Sequence, residues 1–96
     1  MNNYEAMIIV KPDLSEEDSK ALFSQINDAV TKNNGLIVQS AIWSEKRKLG
    51  FPMKKQKEGV YYLVNFQSPP AAIKELRTTY KLNENILRVL ITNANS

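Results

Sequence analysis

An α+β fold with the element order βαββαβ is predicted for this chain by three observations. Clusters rich in β-branched and aromatic residues recur at four places, which predicts four strands. Two further segments carry apolar residues at helical spacing behind recognisable start signals. The 96 residues, 43% of them hydrophobic, suffice for one compact core and are too few for two, so residues 1–96 are expected to form a single domain with a short disordered end over 93–96.

The first strand is NYEAMIIVK, with β-branched Ile8, Ile9 and Val10, ended by Pro12-Asp13. Ser15 then precedes Glu16-Glu17-Asp18, a variant capping box that places negative charge where the helix dipole favours it. Leu22, Phe23, Ile26, Ala29 and Val30 share one face of the resulting helix, over about 16 to 33, and Asn33-Asn34-Gly35 supplies a left-handed stop. Leu36-Ile37-Val38 and Ala41-Ile42-Trp43 predict the second strand, and VYYLVNF from Val60 the third. These two form a hairpin with a basic segment at its far end, and Pro52 requires its strand to be an edge, to stop or to bulge. Ser68-Pro69-Pro70 reads as the start of a second helix whose Ile73, Leu76 and Tyr80 lie together. Asn83-Glu84-Asn85 breaks it before the last strand, ILRVLIT. This order is that of the split βαβ, ferredoxin-like motif: a four-stranded antiparallel sheet with both helices on one face, which leaves the other face for water or a partner.

Charge is distributed unevenly. Residues 46–57 hold six Lys or Arg and no acid, while the rest of the chain has seven basic and ten acidic residues, so the net charge of +3 is a local property of one segment. A cationic patch on a slightly acidic body argues for an anionic partner, with nucleic acid first among them. The chain lacks cysteine, which excludes disulfides and thiolate metal sites and fits a reducing compartment. It also lacks histidine, the usual base at neutral pH, and its three glycines make no phosphate-cradling pattern. Glu16, Glu17 and Asp18 are explained by capping, and Glu75 has no base beside it, so no catalytic residues and no cofactor are assigned. No apolar run reaches the roughly 18 residues that span a bilayer, and the first residues lack a basic, cleavable leader, so a cytosolic location is expected.

Within EKRKLGFPMKKQKEG, the cations Lys46, Arg47, Lys48, Lys54, Lys55 and Lys57 can neutralise phosphates, and Phe51 offers an aromatic surface for unpaired bases. A hairpin end carrying lysines that protect an edge strand explains the charges equally well. The apolar Leu49, Phe51, Pro52 and Met53 between the two basic bursts favour a covered surface. Arg88 lies in the last strand, where regular alternation puts it on one face with Ile86 and Leu90; a partner phosphate or a pairing with Glu84 accounts for a charge there. Lys81 is explained by the dipole at the helix C-terminus. EGVYYLVNF is partly similar to the stacking consensus of the RNA recognition motif, but alignment from Gly59 puts Val60 where an aromatic belongs and Tyr61 where a small residue belongs; strand alternation places Tyr61, Leu63 and Asn65 on one face and Tyr62, Val64 and Phe66 on the other.

From Tyr4-Glu5 through Arg47-Lys48-Leu49-Gly50-Phe51-Pro52-Met53 to Asn85-Ile86-Leu87-Arg88-Val89, the chain resembles the bacterial small-subunit ribosomal protein S-six (S6) family. The resemblance extends from Tyr4 to Thr92 and implies a ferredoxin-like structural constituent of the small ribosomal subunit, not an enzyme. It further implies binding to the central domain of small-subunit rRNA together with ribosomal protein S-eighteen (S18), by a protein that is monomeric when free. By the same resemblance Arg47, Lys48, Lys55 and Arg88 match the family's contact residues, with Lys46 and Lys54 beside them. Leu49, Phe51, Pro52 and Met53 would then pack against RNA or the partner. Phe51 stands where the family usually has tyrosine, Leu87 where some members have a second arginine, and Glu45 where glycine is frequent. The short end at 93–96 is expected to lack the contacts made by members with long tails. A metabolite-binding module that dimerises through its open sheet face, and an acylphosphatase-type enzyme, are the alternatives on the same topology.

Overall fold

The computed structural model describes residues 1–53 and 56–94, with the backbone alone for residues 43–53, 56 and 57. In chain order it contains β1 (Asn2–Val10), α1 (Glu16–Lys32), β2 (Leu36–Met53), β3 (Gln56–Ser68), a 3-10 turn (Pro70–Ala72), α2 (Ile73–Lys81) and β4 (Ile86–Asn93). The strands form one antiparallel sheet in the order β2-β3-β1-β4. This is the ferredoxin-like α+β arrangement that the alternation of elements predicts.

Side-chain alternation divides the sheet into two faces. Tyr4, Ala6, Ile8 and Val10 of β1 join Tyr62, Val64 and Phe66 of β3 beneath Leu22, Ile26 and Val30 of α1 and Leu76 and Tyr80 of α2. Each such aliphatic side chain contributes about 1.5–3 kcal/mol by leaving water, which makes this layer the main source of stability. Aromatic geometry ties it together: Phe23 meets Tyr62 edge-on at 4.9 Å, and Tyr4 stacks on Phe66 at 5.7 Å.

Two of the buried phenols, those of Tyr62 and Tyr80, are satisfied by α1. Tyr80 Oη donates to the Ile26 carbonyl at 2.7 Å, and Tyr62 Oη lies 2.6 Å from Ser19 Oγ. Burial pushes the Tyr80 phenol above its ordinary range, because a phenolate would be stranded among apolar side chains. Ser15 caps α1 as its sequence predicts, its Oγ accepting from the Asp18 N–H at 3.0 Å.

The left-handed stop expected from Asn33-Asn34-Gly35 is present: Asn34 lies at φ 66°, and no described glycine has positive φ. Gly35 serves another purpose: a Cβ there would lie 2.7 Å from Val30 Cγ1 and 2.8 Å from the Gln67 carbonyl oxygen, so the residue is small because β3 and α1 close on it. Ser68 does not start the second helix. It is fully buried at the end of β3, its Oγ bonded to the Pro69 carbonyl, and the chain makes a 3-10 turn before α2 begins at Ile73. The disorder expected from residue 93 is replaced by order at 93 and 94: Asn93 closes β4 opposite Tyr4, and the Ala94 N–H donates to the Asn3 carbonyl at 2.8 Å. Backbone hydrogen bonds to β1 hold these residues against the sheet.

Candidate nucleic-acid interface

β2 and β3 extend beyond the body of the sheet. β1 pairs with β3 as far as Val10 opposite Val60, whereas β2 continues to pair with β3 through Arg47 opposite Gly59, Lys48 opposite Glu58 and Met53 opposite Gln56. The segment that carries Lys46, Arg47, Lys48, Leu49, Phe51, Pro52 and Met53 therefore lies on a two-stranded arm of edge strand β2 and β3, where β3 no longer has β1 on its other side. Register shifts between Ser44 and Arg47 and between Lys48 and Met53 interrupt the ladder. Both conditions accommodate Pro52, which cannot donate to a neighbour. Lys54 and Lys55 lie outside the described residues, as do the side chains of the other hairpin residues assigned from the sequence.

The face not covered by helices is built in rows across the strands. Tyr61, Ile9 and Arg88 align across β3, β1 and β4; the next row is Ala41, Leu63, Met7 and Leu90; the next is Gln39, Asn65, Glu5 and Thr92. Directly opposed residues in antiparallel strands point to the same side, so the face has an apolar centre bordered by polar groups. Ile9 and Leu87 are buried there against Tyr61, apart from the main core, while Leu90 is 48% exposed. The alternation expected for β3 holds, with Tyr61, Leu63 and Asn65 on this side.

Arg88 is exposed and shares this open face with Leu90, but not with Ile86 as regular alternation predicts. The cause is a bulge: Ile9 pairs with Arg88 and the next residue, Val10, pairs with Ile86, which leaves Leu87 as an extra residue in β4. Ile86 thus enters the main core while Leu87 and Arg88 serve the other side. The pairing with Glu84 does not form, and among the described residues the ion pair is Lys20 with Glu16. A groove of about 310 Å³ along the start of β4 is lined by Arg88 and by Lys81 from the end of α2. Lys81 is a residue that the sequence explains by the helix dipole alone; its nearness to Arg88 depends on the packing of α2 beside β4, which no sequence pattern signals.

The sequence that folds in this way matches the family model described as ribosomal protein S6 over residues 3–93. The chain belongs to this family. It is 38% identical over 95% of its length to the small ribosomal subunit protein bS6 of Caldanaerobacter subterraneus subsp. tengcongensis, covering 95% of that protein. It is 41% identical, with 95% of each chain covered, to the bS6 protein of Thermoanaerobacter pseudethanolicus. Among solved structures, the crystal structure of 30S ribosomal protein S6 from Thermotoga maritima superposes with a TM-score of 0.88 at 25% identity, over 96% of this chain and 86% of that one. Proteins of the S6 family are structural, non-enzymatic constituents of the ribosome, and that is the role of this chain.

Proposed function

We propose that this S6-family chain binds the central domain of small-subunit rRNA jointly with ribosomal protein S18, in the cytoplasmic ribosome, and is monomeric before it assembles. Arg47 and Lys48, with Lys46, Lys54 and Lys55, supply charge to the RNA backbone; Arg88 supplies a further contact from β4. Leu49, Phe51, Pro52 and Met53 pack against RNA or S18. The observation that carries the reading is the position of the basic run on an arm whose two strands extend past the last β1 pair. A two-stranded ribbon is marginally stable in water, and the six cations of residues 46–57 repel one another, so an anionic surface laid against the arm neutralises and stabilises it.

The test is binding of the purified chain to an rRNA central-domain fragment, with and without S18, over a salt series. Six phosphate contacts correspond to a loss of about a thousandfold in affinity between about 50 mM and about 200 mM salt. The R47E/K48E double variant is expected to lose both affinity and much of that salt dependence. Unchanged affinity in the variant would remove these residues from the interface, and no binding under any condition would overturn the reading.

A further inference from the structure

The groove at the outer edge of β4 lies at the opposite side of the sheet from the basic arm and holds two cations. We propose that Lys81 and Arg88 together clamp one backbone phosphodiester of bound RNA, as a phosphate site separate from the hairpin; this rests on the RNA-binding reading above.

Four features of the groove support it. First, both side chains are exposed and line the same 310 Å³ groove, and among the described residues neither forms an ion pair. A phosphodiester seated in the groove can offer one unesterified oxygen to each cation. Second, the carbonyls of Thr78 and Tyr80 at the end of α2 accept from the Leu82 and Asn83 N–H groups at 3.1 and 3.2 Å, so these two acceptors do not call on the Lys81 ammonium. Third, the wall of the groove is aliphatic, formed by Ile86, Leu87 and Val89, which keeps water from one side of the ions and strengthens their attraction for an anion. Fourth, the two donors differ usefully. The Arg88 guanidinium can grip a phosphate with two parallel N–H groups, whereas the Lys81 ammonium acts as a mobile point charge.

The register of β4 against β1 is regular from Asn93 back to Arg88, which lies opposite Ile9; Leu87, as the extra residue ahead of it, joins Arg88 on the open side and lets Ile86 enter the main core. Because β2 and β4 are the two edges, three strand spacings, roughly 14 Å across the sheet, separate them, and the basic arm extends further along the strand direction.

The experiment compares wild type, K81Q, R88Q, R88K, K81Q/R88Q and the hairpin variant R47E/K48E in complexes of the full chain with S18 and the rRNA central-domain fragment. K81Q/R88Q is expected to bind RNA more weakly and to flatten the slope of log affinity against log salt by roughly 0.7–0.9, the amount for one phosphate. Its deficit is then about threefold larger at about 50 mM than at about 200 mM salt. Either single glutamine variant should lose less, since the other cation still holds the phosphate, and R88K should fall between R88Q and wild type. Thermal melting should leave all four groove variants folded, because both side chains are exposed. Unchanged affinity and slope in K81Q/R88Q, with wild type binding and R47E/K48E impaired, would overturn the clamp and leave the hairpin reading intact. Loss of S18 binding by K81Q/R88Q in the absence of RNA would assign the groove to the protein partner and also overturn it. Absence of RNA binding by wild type would remove both proposals.

Discussion

Replacing Asn34 and Gly35 separately asks which of them stops α1 and why. The chain turns through Asn34 at φ 66°, a left-handed conformation that costs a residue with a Cβ roughly 1–2 kcal/mol and that asparagine tolerates better than alanine. Asn34→Ala is therefore expected to destabilise the fold by about 1 kcal/mol, lowering Tm by about 4–8 °C in a domain of this size. Asn34→Gly removes the strain and should be neutral or slightly stabilising. Gly35 has no positive φ, yet its missing Cβ would approach Val30 Cγ1 at 2.7 Å, the Gln67 carbonyl oxygen at 2.8 Å and the Val30 carbonyl oxygen at 2.9 Å. Two of these neighbours are backbone atoms in α1 and β3 that cannot rotate away, so Gly35→Ala should cost about 1–3 kcal/mol through overpacking. The assay is thermal and urea denaturation followed by circular dichroism. If the helix instead ended with Gly35 in the left-handed region, the Asn34 results would invert. Asn34→Ala as stable as wild type together with a destabilised Asn34→Gly would refute the reasoning.

Two further predictions concern α1 and its partners. Tyr80→Phe removes the hydrogen bond to the Ile26 carbonyl, which in an α-helix also accepts from residue 30, so the loss should be near 1 kcal/mol by urea unfolding and not the larger penalty of an orphaned group. The same substitution changes the alkaline limb: burial raises the folded-state phenol above its ordinary 10.0, so its contribution is complete below about pH 10 and declines as pH rises beyond it. The stability of Tyr80→Phe should accordingly fall less steeply above pH 10 than that of wild type, and parallel curves would exclude Tyr80 as the titrating group. Ser15→Ala deletes the acceptor for the Asp18 N–H and should cost about 1 kcal/mol, measured by the same denaturation, while Ser15→Asp should retain most of the wild-type stability.

The elements that could be read correctly were those whose signals are local. Ser15 and the acids behind it mark the start of α1 because a cap is completed within four residues, and the buried Leu22, Ile26, Ala29 and Val30 follow from helical spacing alone. The assignment of Tyr62, Val64 and Phe66 to one face and Tyr61, Leu63 and Asn65 to the other needs only strand alternation. Ser68 misleads for the same reason: Ser-Pro-Pro resembles a helix start locally, but pairing of Ser68 with Asn2 extends β3 through it. In the candidate interface, the basic segment was visible as composition and Arg88 as an unexpected charge in a strand. The association of Arg88 with Lys81 was not visible, because it depends on how the end of α2 packs beside the start of β4.

Sequence alone determined the order of elements, the apolar faces of helices and strands, the family, and the concentration of positive charge between residues 46 and 57, since each depends on neighbours along the chain. Tertiary structure decided the rest. It made β2 and β4 the edges, carried the basic run beyond the body of the sheet, required a glycine at 35 through the approach of α1 and β3, and turned Arg88 to the open face with Lys81 nearby. These features depend on register between strands distant in sequence. In a structure whose side chains alternate every residue, a single inserted residue changes which face a side chain occupies.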